Sequence, residues 1–183
     1  MPRIEQISPE SATGSVAELF RAIKGKLGMV PNMMRAIGNS PAALNAYLQF
    51  SGGLASGSLT TQQREQIALA VGEANQCEYC LAAHSALGKM AGLSADQLRD
   101  ARLGMSVDPT SDALLRFARK LVKERGRVTN DDVRELRDHG FTDSDLTEVV
   151  ANVALNIFTN YFNHVAETDV DFPQAECLAC KVA

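Results

Sequence analysis

Apolar residues along this chain recur at steps of three and four, and polar breaks divide them at helical lengths. Leu114, Leu115, Ala118, Leu121 and Val122 make one such stripe, and Leu146, Val149, Val150, Val153 and Ile157 make another. Helix starts are marked by a short polar side chain with a matching residue three positions on: Thr60 with Gln63, Ser94 with Gln97, Thr129 with Asp132 and Thr142 with Asp145. Such pairs satisfy first-turn amides that have no intrahelical carbonyl. Ser40-Pro41 and Asp108-Pro109 are further starts, with proline in the first turn. Stops fall at Gly28, Gly38, Gly92, Gly104, Gly126 and Gly140, where the missing β-carbon opens the left-handed conformation that closes a helix. No alternating strand pattern and no Asn-Gly hairpin interrupts this punctuation.

The pattern predicts an all-α chain of seven to nine helices, near residues 15–27, 31–38, 41–55, 61–75, 77–91, 95–103, 109–125, 130–138 and 143–166. We expect an N-terminal segment over 1–14, one helical-bundle domain over 15–169 and a C-terminal tail over 170–183, which contains Pro173 and has no helical period. Residues 92–98 and 140–146 share an order of Gly, apolar, hydroxyl, polar and Leu. Two ordinary helix starts explain that echo better than a duplicated hairpin.

Composition narrows the classes. The 183 residues are 45% hydrophobic but only 5% aromatic, with no Trp, so the core is built from Ala, Val, Leu, Ile and Met. With 18 Lys plus Arg against 22 Asp plus Glu and a net charge of -4, the chain has no electrostatic footprint for nucleic acid or an anionic membrane. The basic residues Arg119, Lys120, Lys123, Arg125 and Arg127 fall where a helix ends and suit its dipole. No signal-like apolar core opens the sequence and no run is long enough to span a bilayer, so a cytoplasmic location is expected.

Four cysteines form two Cys-x-x-Cys pairs, Cys77 with Cys80 and Cys177 with Cys180. Without a secretion signal this favours redox or metal chemistry over a disulfide scaffold. Asn75 and Gln76 break the preceding apolar helix and put Cys77 at a helix start, where the dipole stabilises a thiolate and one turn brings the two sulfurs within disulfide reach. On a helical wheel Cys77, Cys80 and His84 fall in a stripe about 60° wide, so His84 can take the proton of a thiol one turn away. Cys80, four residues before His84, is the better placed nucleophile. Cys77, nearer the helix end and more open to solvent, suits the resolving and exchange role. Tyr79 points off this stripe. Glu65 and Glu73, both on an otherwise apolar helix, are alternative acids to orient His84.

Glu65, eleven residues, Cys77-x-x-Cys80, three residues and His84 together resemble the active-site motif of the alkylhydroperoxidase D-like branch of the carboxymuconolactone decarboxylase superfamily. Residues 75–84 and 158–173 extend the similarity to its peroxidase-related members. The resemblance implies an all-helical fold, homo-oligomers (trimers or hexamers), thiol-dependent reduction of hydroperoxides, and no metal or organic cofactor. It implies Cys80 as the peroxidatic cysteine, Cys77 as its disulfide partner and the sulfur met by a dithiol reductant such as a lipoylated or thioredoxin-like protein, and Glu65 with His84 as a proton relay. One departure stands out: the founding member carries histidine between its cysteines, whereas Tyr79, with an ordinary pKa of about 10, is no base at neutral pH.

Zinc held by all four cysteines is disfavoured by the 96 residues between the pairs, and a lactone decarboxylase by the presence of the pair itself. A redox-sensing or disulfide-exchange protein without peroxidase turnover remains the main rival. Asn156, Asn160 and His164, at i, i+4 and i+8, suit a pocket wall or, preferably, a buried hydrogen-bond network. His139 reads as a helix-end residue, and Met29, Met33 and Met34 as core or interface filler. Cys177 and Cys180 lie beyond the resemblance, as an electron shuttle or an incidental tail.

Overall fold

The computed structural model describes residues 1–178; Cys180 lies outside them, so the pairing of the second Cys-x-x-Cys is outside the described residues. Nine helices and no strand occur among those residues: α1 (Gly14–Leu27), α2 (Asn32–Ile37), α3 (Pro41–Ala55), α4 (Thr61–Ala74), α5 (Glu78–Met90), α6 (Ala95–Leu103), α7 (Pro109–Lys123), α8 (Asn130–Asp138) and α9 (Asp143–Ala166). The chain is all-α, as the periodicity predicts. The expected capping residues do their work in place. Thr60, Ser94, Thr129 and Thr142 each form the reciprocal capping box with the residue three positions on.

Helix α4 is the centre. Its residues Gln66 to Gly72 are all buried, and it packs against α5, α6, α7 and α9. Its 67–72 stretch, apolar on all sides, must be surrounded, which is why no amphipathic stripe marks it in the sequence. One cluster joins α4, α7, α8 and α9 through Ile67, Leu114, Phe117, Leu136 and Val149. A second joins α1, α2, α3 and α5 through Phe20, Ile23, Met33, Leu44 and Tyr79, with Cys77 and Cys80 inside it. At Gly88 a β-carbon would stand 2.7 Å from Leu98 Cδ2 and 3.7 Å from Glu65 Cβ, so glycine lets α5 settle between α4 and α6.

The tail is not helical, but it neither frays nor projects over 169–176. The Asn32 amide donates to Asp171 Oδ2 at 2.8 Å, Phe172 packs edge-on against Tyr79 with ring centroids 5.8 Å apart, and Ala175 packs against the α4 and α6 side. Arg102 donates to the Glu176 carbonyl. This strap crosses the molecule from α2 to α6. No helix among the described residues is long and apolar enough to cross a membrane.

Candidate active site

The turn from α4 to α5 makes the site. Asn75 caps α4, and Gln76 takes a left-handed conformation (φ 56°), a strained choice for a residue with a β-carbon. That turn directs the Cys77 amide to the Gly72 carbonyl at 2.9 Å and makes Cys77 the N-cap of α5. Its Sγ accepts from the Cys80 amide at 3.3 Å, so sulfur does here what serine or threonine does at the other helix starts. The two cysteines are joined as a disulfide, with Cα atoms 5.3 Å apart.

Exposure departs from the sequence expectation. Cys77 is 1% exposed and Cys80 3%, so Cys77 is not the open sulfur. Its capping geometry turns Cys77 into the cluster with Phe20 and Leu44, while Cys80 faces a cavity of about 450 Å³. Met29, Met33, Met34, Leu54, Leu87 and Met90 line that cavity, with Glu65 and His84 beside Cys80. Met33 is core filler as expected; all three N-terminal methionines also form cavity wall.

The choice between the two acids is resolved by geometry. His84 Nδ1 lies 2.8 Å from Glu65 Oε2, which fixes the ring and leaves Nε2 for proton transfer. Glu73 instead takes the Arg102 Nε at 2.7 Å on the far side of α4. Eight residues along a helix turn two side chains about 80° apart, enough to put one acid into the cavity and the other against α6.

Tyr79 is a tie rather than a base. Its hydroxyl donates to Asp171 Oδ1 at 2.8 Å and accepts from the Met33 amide at 3.2 Å. Burial, reinforced by the Asp171 charge, pushes its pKa far above the ordinary value, so it stays a neutral phenol that fastens the strap to α5.

Asn160 and His164 belong to the network the spacing favours. Asn160 Oδ1 accepts from Asn75 Nδ2 at 2.9 Å and His164 Nε2 donates to the Asn75 carbonyl at 2.9 Å, so α9 holds the α4–α5 turn in its strained shape. Asn156 instead lines the cavity. His139 caps α8, with Nδ1 2.8 Å from the Glu135 carbonyl.

Three site residues were not singled out from sequence. Asn163, 5% exposed, donates through Nδ2 to Cys80 Sγ at 3.3 Å, and its Oδ1 is buried without a partner. Its position three residues after Asn160 on an apolar helix was the available signal. Tyr47 lines the cavity near Glu65, and burial together with that charge pushes its hydroxyl up to about 12, so it is a donor at neutral pH. Asp171, on the strap, had no local signal at all. Among the described residues no group of three or more His, Cys, Asp or Glu is arranged to hold a metal ion.

Residues 41–124, which contain Glu65, Cys77, Cys80 and His84, match the carboxymuconolactone decarboxylase family. That match spans 84 of the 183 residues, and the chain is similar there to the alkylhydroperoxidase D-like branch that its Glu65, Cys77, Cys80 and His84 motif resembles. It superimposes on the alkylhydroperoxidase-core, peroxidase-related protein of Ralstonia eutropha JMP134 with a TM-score of 0.83 and 28% identity, over 93% of this chain and 92% of that one. A peroxidase-related protein of Silicibacter sp. TM1040 (TM-score 0.80, 24% identity, 91% and 89% covered) shares the fold. So does the debrominase Bmp8, solved as a C82A variant with 2,3,4-tribromopyrrole (TM-score 0.79, 18% identity, 92% and 91% covered). No curated protein matches the chain in sequence. The family match and these neighbours, a debrominase among them, fit an enzyme of the alkylhydroperoxidase D-like type.

Proposed function

We propose that the protein is a thiol-dependent peroxidase that reduces organic hydroperoxides or hydrogen peroxide at Cys80. The observation that carries this reading is the Glu65–His84 pair at 2.8 Å lining the same cavity as the Cys80 sulfur. A buried disulfide with a private cavity and an oriented base fits turnover better than a surface sensor.

In the reduced enzyme His84 takes the Cys80 proton, and the thiolate attacks the hydroperoxide. A sulfur–oxygen bond forms, the oxygen–oxygen bond breaks, and the leaving alkoxide takes its proton from His84. Asn163 Nδ2 donates to the sulfur as charge builds there, a stronger bond to a thiolate than to a neutral thiol. Cys77 then attacks the sulfenic acid of Cys80, joining sulfur to sulfur and releasing water.

Re-reduction follows from exposure. A dithiol entering the cavity meets Cys80, and Cys77 departs as a thiolate held at the α5 N-terminus, where its Sγ already accepts an amide. The reductant's second thiol releases Cys80, so one dithiol supplies the two electrons for one hydroperoxide. This reverses the expectation that Cys77 meets the reductant. It favours a slender dithiol arm, such as a lipoyl group, over a broad protein surface. Exposed apolar side chains on α3 and α9, among them Phe50, Phe158 and Val165, suit burial in a homo-oligomer.

The test is consumption of cumene hydroperoxide with dihydrolipoamide. Wild type turns over and Cys80→Ser is reduced by about a thousandfold or more, and when the oxidised wild-type disulfide is treated with a lipoamide-like monothiol the mixed disulfide is expected on Cys80. Readily formed disulfide without turnover in wild type would replace the peroxidase with a sensor. A monothiol mixed disulfide found on Cys77 instead would restore the other order of exchange.

A further inference from the structure

Asn163 on α9 meets Cys80 without lining the cavity, whose wall takes Asn152, Asn156 and Thr159 from that helix. It is 5% exposed, and its Nδ2 donates to Cys80 Sγ at 3.3 Å. A disulfide sulfur carries no hydrogen, so the amide must turn its NH₂ to Sγ and its oxygen away from the sulfur lone pairs. Chemistry therefore fixes which end is which. No group donates to the buried Oδ1, and the one proton of the adjacent Tyr79 hydroxyl is committed to Asp171. An acceptor beside the reactive sulfur is thus unpaired in the disulfide state.

In the proposed cycle Cys80 passes through thiol, thiolate, sulfenic acid and disulfide, and these differ in what they offer an amide. The thiolate and the disulfide offer lone pairs only, and the thiol adds a weak S–H donor. The sulfenic acid alone joins a sulfur lone pair to a strong O–H donor. One planar amide, with its N–H and C=O on the same carbon, matches that pair. Nδ2 keeps the sulfur, and rotation about Cβ–Sγ carries the new oxygen round to Oδ1 to form an O–H···O bond of about 2.7 Å.

We propose that Asn163 clamps the Cys80 sulfenic acid, Nδ2 donating to the sulfur and Oδ1 accepting from the sulfenic hydroxyl, and so protects Cys80 from a second oxidation. The clamp rests on the peroxidase reading, whose intermediate it holds. Over-oxidation starts from the deprotonated sulfenate. Its sulfur attacks another hydroperoxide, a second sulfur–oxygen bond forms, the oxygen–oxygen bond breaks, and the leaving alkoxide takes a proton to become the alcohol, leaving a sulfinate. A hydrogen bond made by the protonated hydroxyl disfavours that ionisation. The hydroxyl's lone pairs stay open to the proton that lets it leave as water when Cys77 attacks, so the clamp steers Cys80 toward the disulfide.

The test uses a full-length Cys77→Ser/Cys177→Ser/Cys180→Ser parent, in which serine still caps α5. One equivalent of hydrogen peroxide sets the sulfenic acid, counted by dimedone labelling, and excess peroxide then drives the second step. Oxygens are read on the tryptic peptide 65–89, which holds Cys80 and no methionine. Adding Asn163→Leu is expected to speed sulfinate formation about tenfold, and Asn163→Ala gives the same reading where leucine does not fold. Asn163→Asp keeps an acceptor oxygen and is expected to stay within about twofold of the parent. Equal second-step rates in the parent and in a Leu or Ala variant shown folded by circular dichroism overturn the clamp, as does an Asp variant that speeds the step as much as Leu. A first step no faster than that of free cysteine, with the Asn163 dependence of the second intact, counts against the peroxidase reading alone. A Cys80 that never gains the first oxygen overturns both.

Discussion

Helices α6, α8 and α9 begin on Ser94, Thr129 and Thr142, each answered by a side chain three residues later. Helix α5 begins on Cys77, after a left-handed Gln76, with its cap made by sulfur. The first region obeys every local rule and carries no proposed chemistry. The second departs from those rules at the residues where the chemistry is proposed. Around it α9 buries Asn152, Asn156, Asn160 and Asn163 where leucine would pack, and leaves Asn160 Nδ2 and Asn163 Oδ1 without partners. Locally consistent segments stabilise the fold, and the local exceptions they hold in place mark the candidate site.

The comparison is broken most sharply by the two acids of α4. Glu65→Gln removes the charge that orients His84 and is expected to lower kcat/KM for cumene hydroperoxide about a hundredfold with little change in Tm. Glu73→Gln is expected to do the reverse, leaving turnover intact while Arg102 loses its carboxylate, at about 1–3 kcal/mol of stability in urea unfolding. Equal losses of activity in both variants would dissolve the distinction between the site and its support.

Asn163 is the next test. Asn163→Leu keeps the branched side-chain shape and removes the donor to Cys80, so the thiolate loses a charge-assisted partner. In a Cys77→Ser/Cys177→Ser/Cys180→Ser background, thiolate absorbance is expected to titrate at a higher pH, with alkylation of Cys80 at neutral pH slowed about tenfold. His84, Glu65, Tyr79 and Tyr47 line the same cavity as this sulfur, with Asp171 behind the Tyr79 hydroxyl, and all stay constant across the comparison. An unchanged titration in a folded variant would leave Asn163 as packing only.

The rule-abiding region is probed by Thr142→Ala. Loss of one cap is expected to cost about 1 kcal/mol and lower Tm by about 2–4 °C without altering turnover. The smallest effect is a pH dependence at Asp132, whose carboxyl is held at about 2 by the Lys120 ammonium and the Thr129 cap. A depressed carboxylate contributes stability above its ordinary value of 3.8 and loses that contribution as pH falls toward 2. Asp132→Asn should therefore flatten the acid side of the stability curve in that window, and an unchanged curve would remove Asp132 from the acid response.

Much of this was legible in the sequence, because helix caps, stops and stripes are interactions over three or four residues and do not depend on the rest of the fold. The nine helices follow their expected limits closely, and Cys77, Cys80 and His84 share one stripe by the helical repeat alone. Tertiary structure decided what contacts between distant positions decide. It set Glu65 rather than Glu73 on His84, 19 residues away, and Asn163 on Cys80 from 83 residues away. It bound Tyr79 to Asp171 across 92 residues, turning a residue between two cysteines into a fastening for the tail. It also buried Cys77 and opened Cys80 to the cavity, because which sulfur faces solvent depends on the helices packed above the turn, and a helical wheel shows a face without showing what covers it.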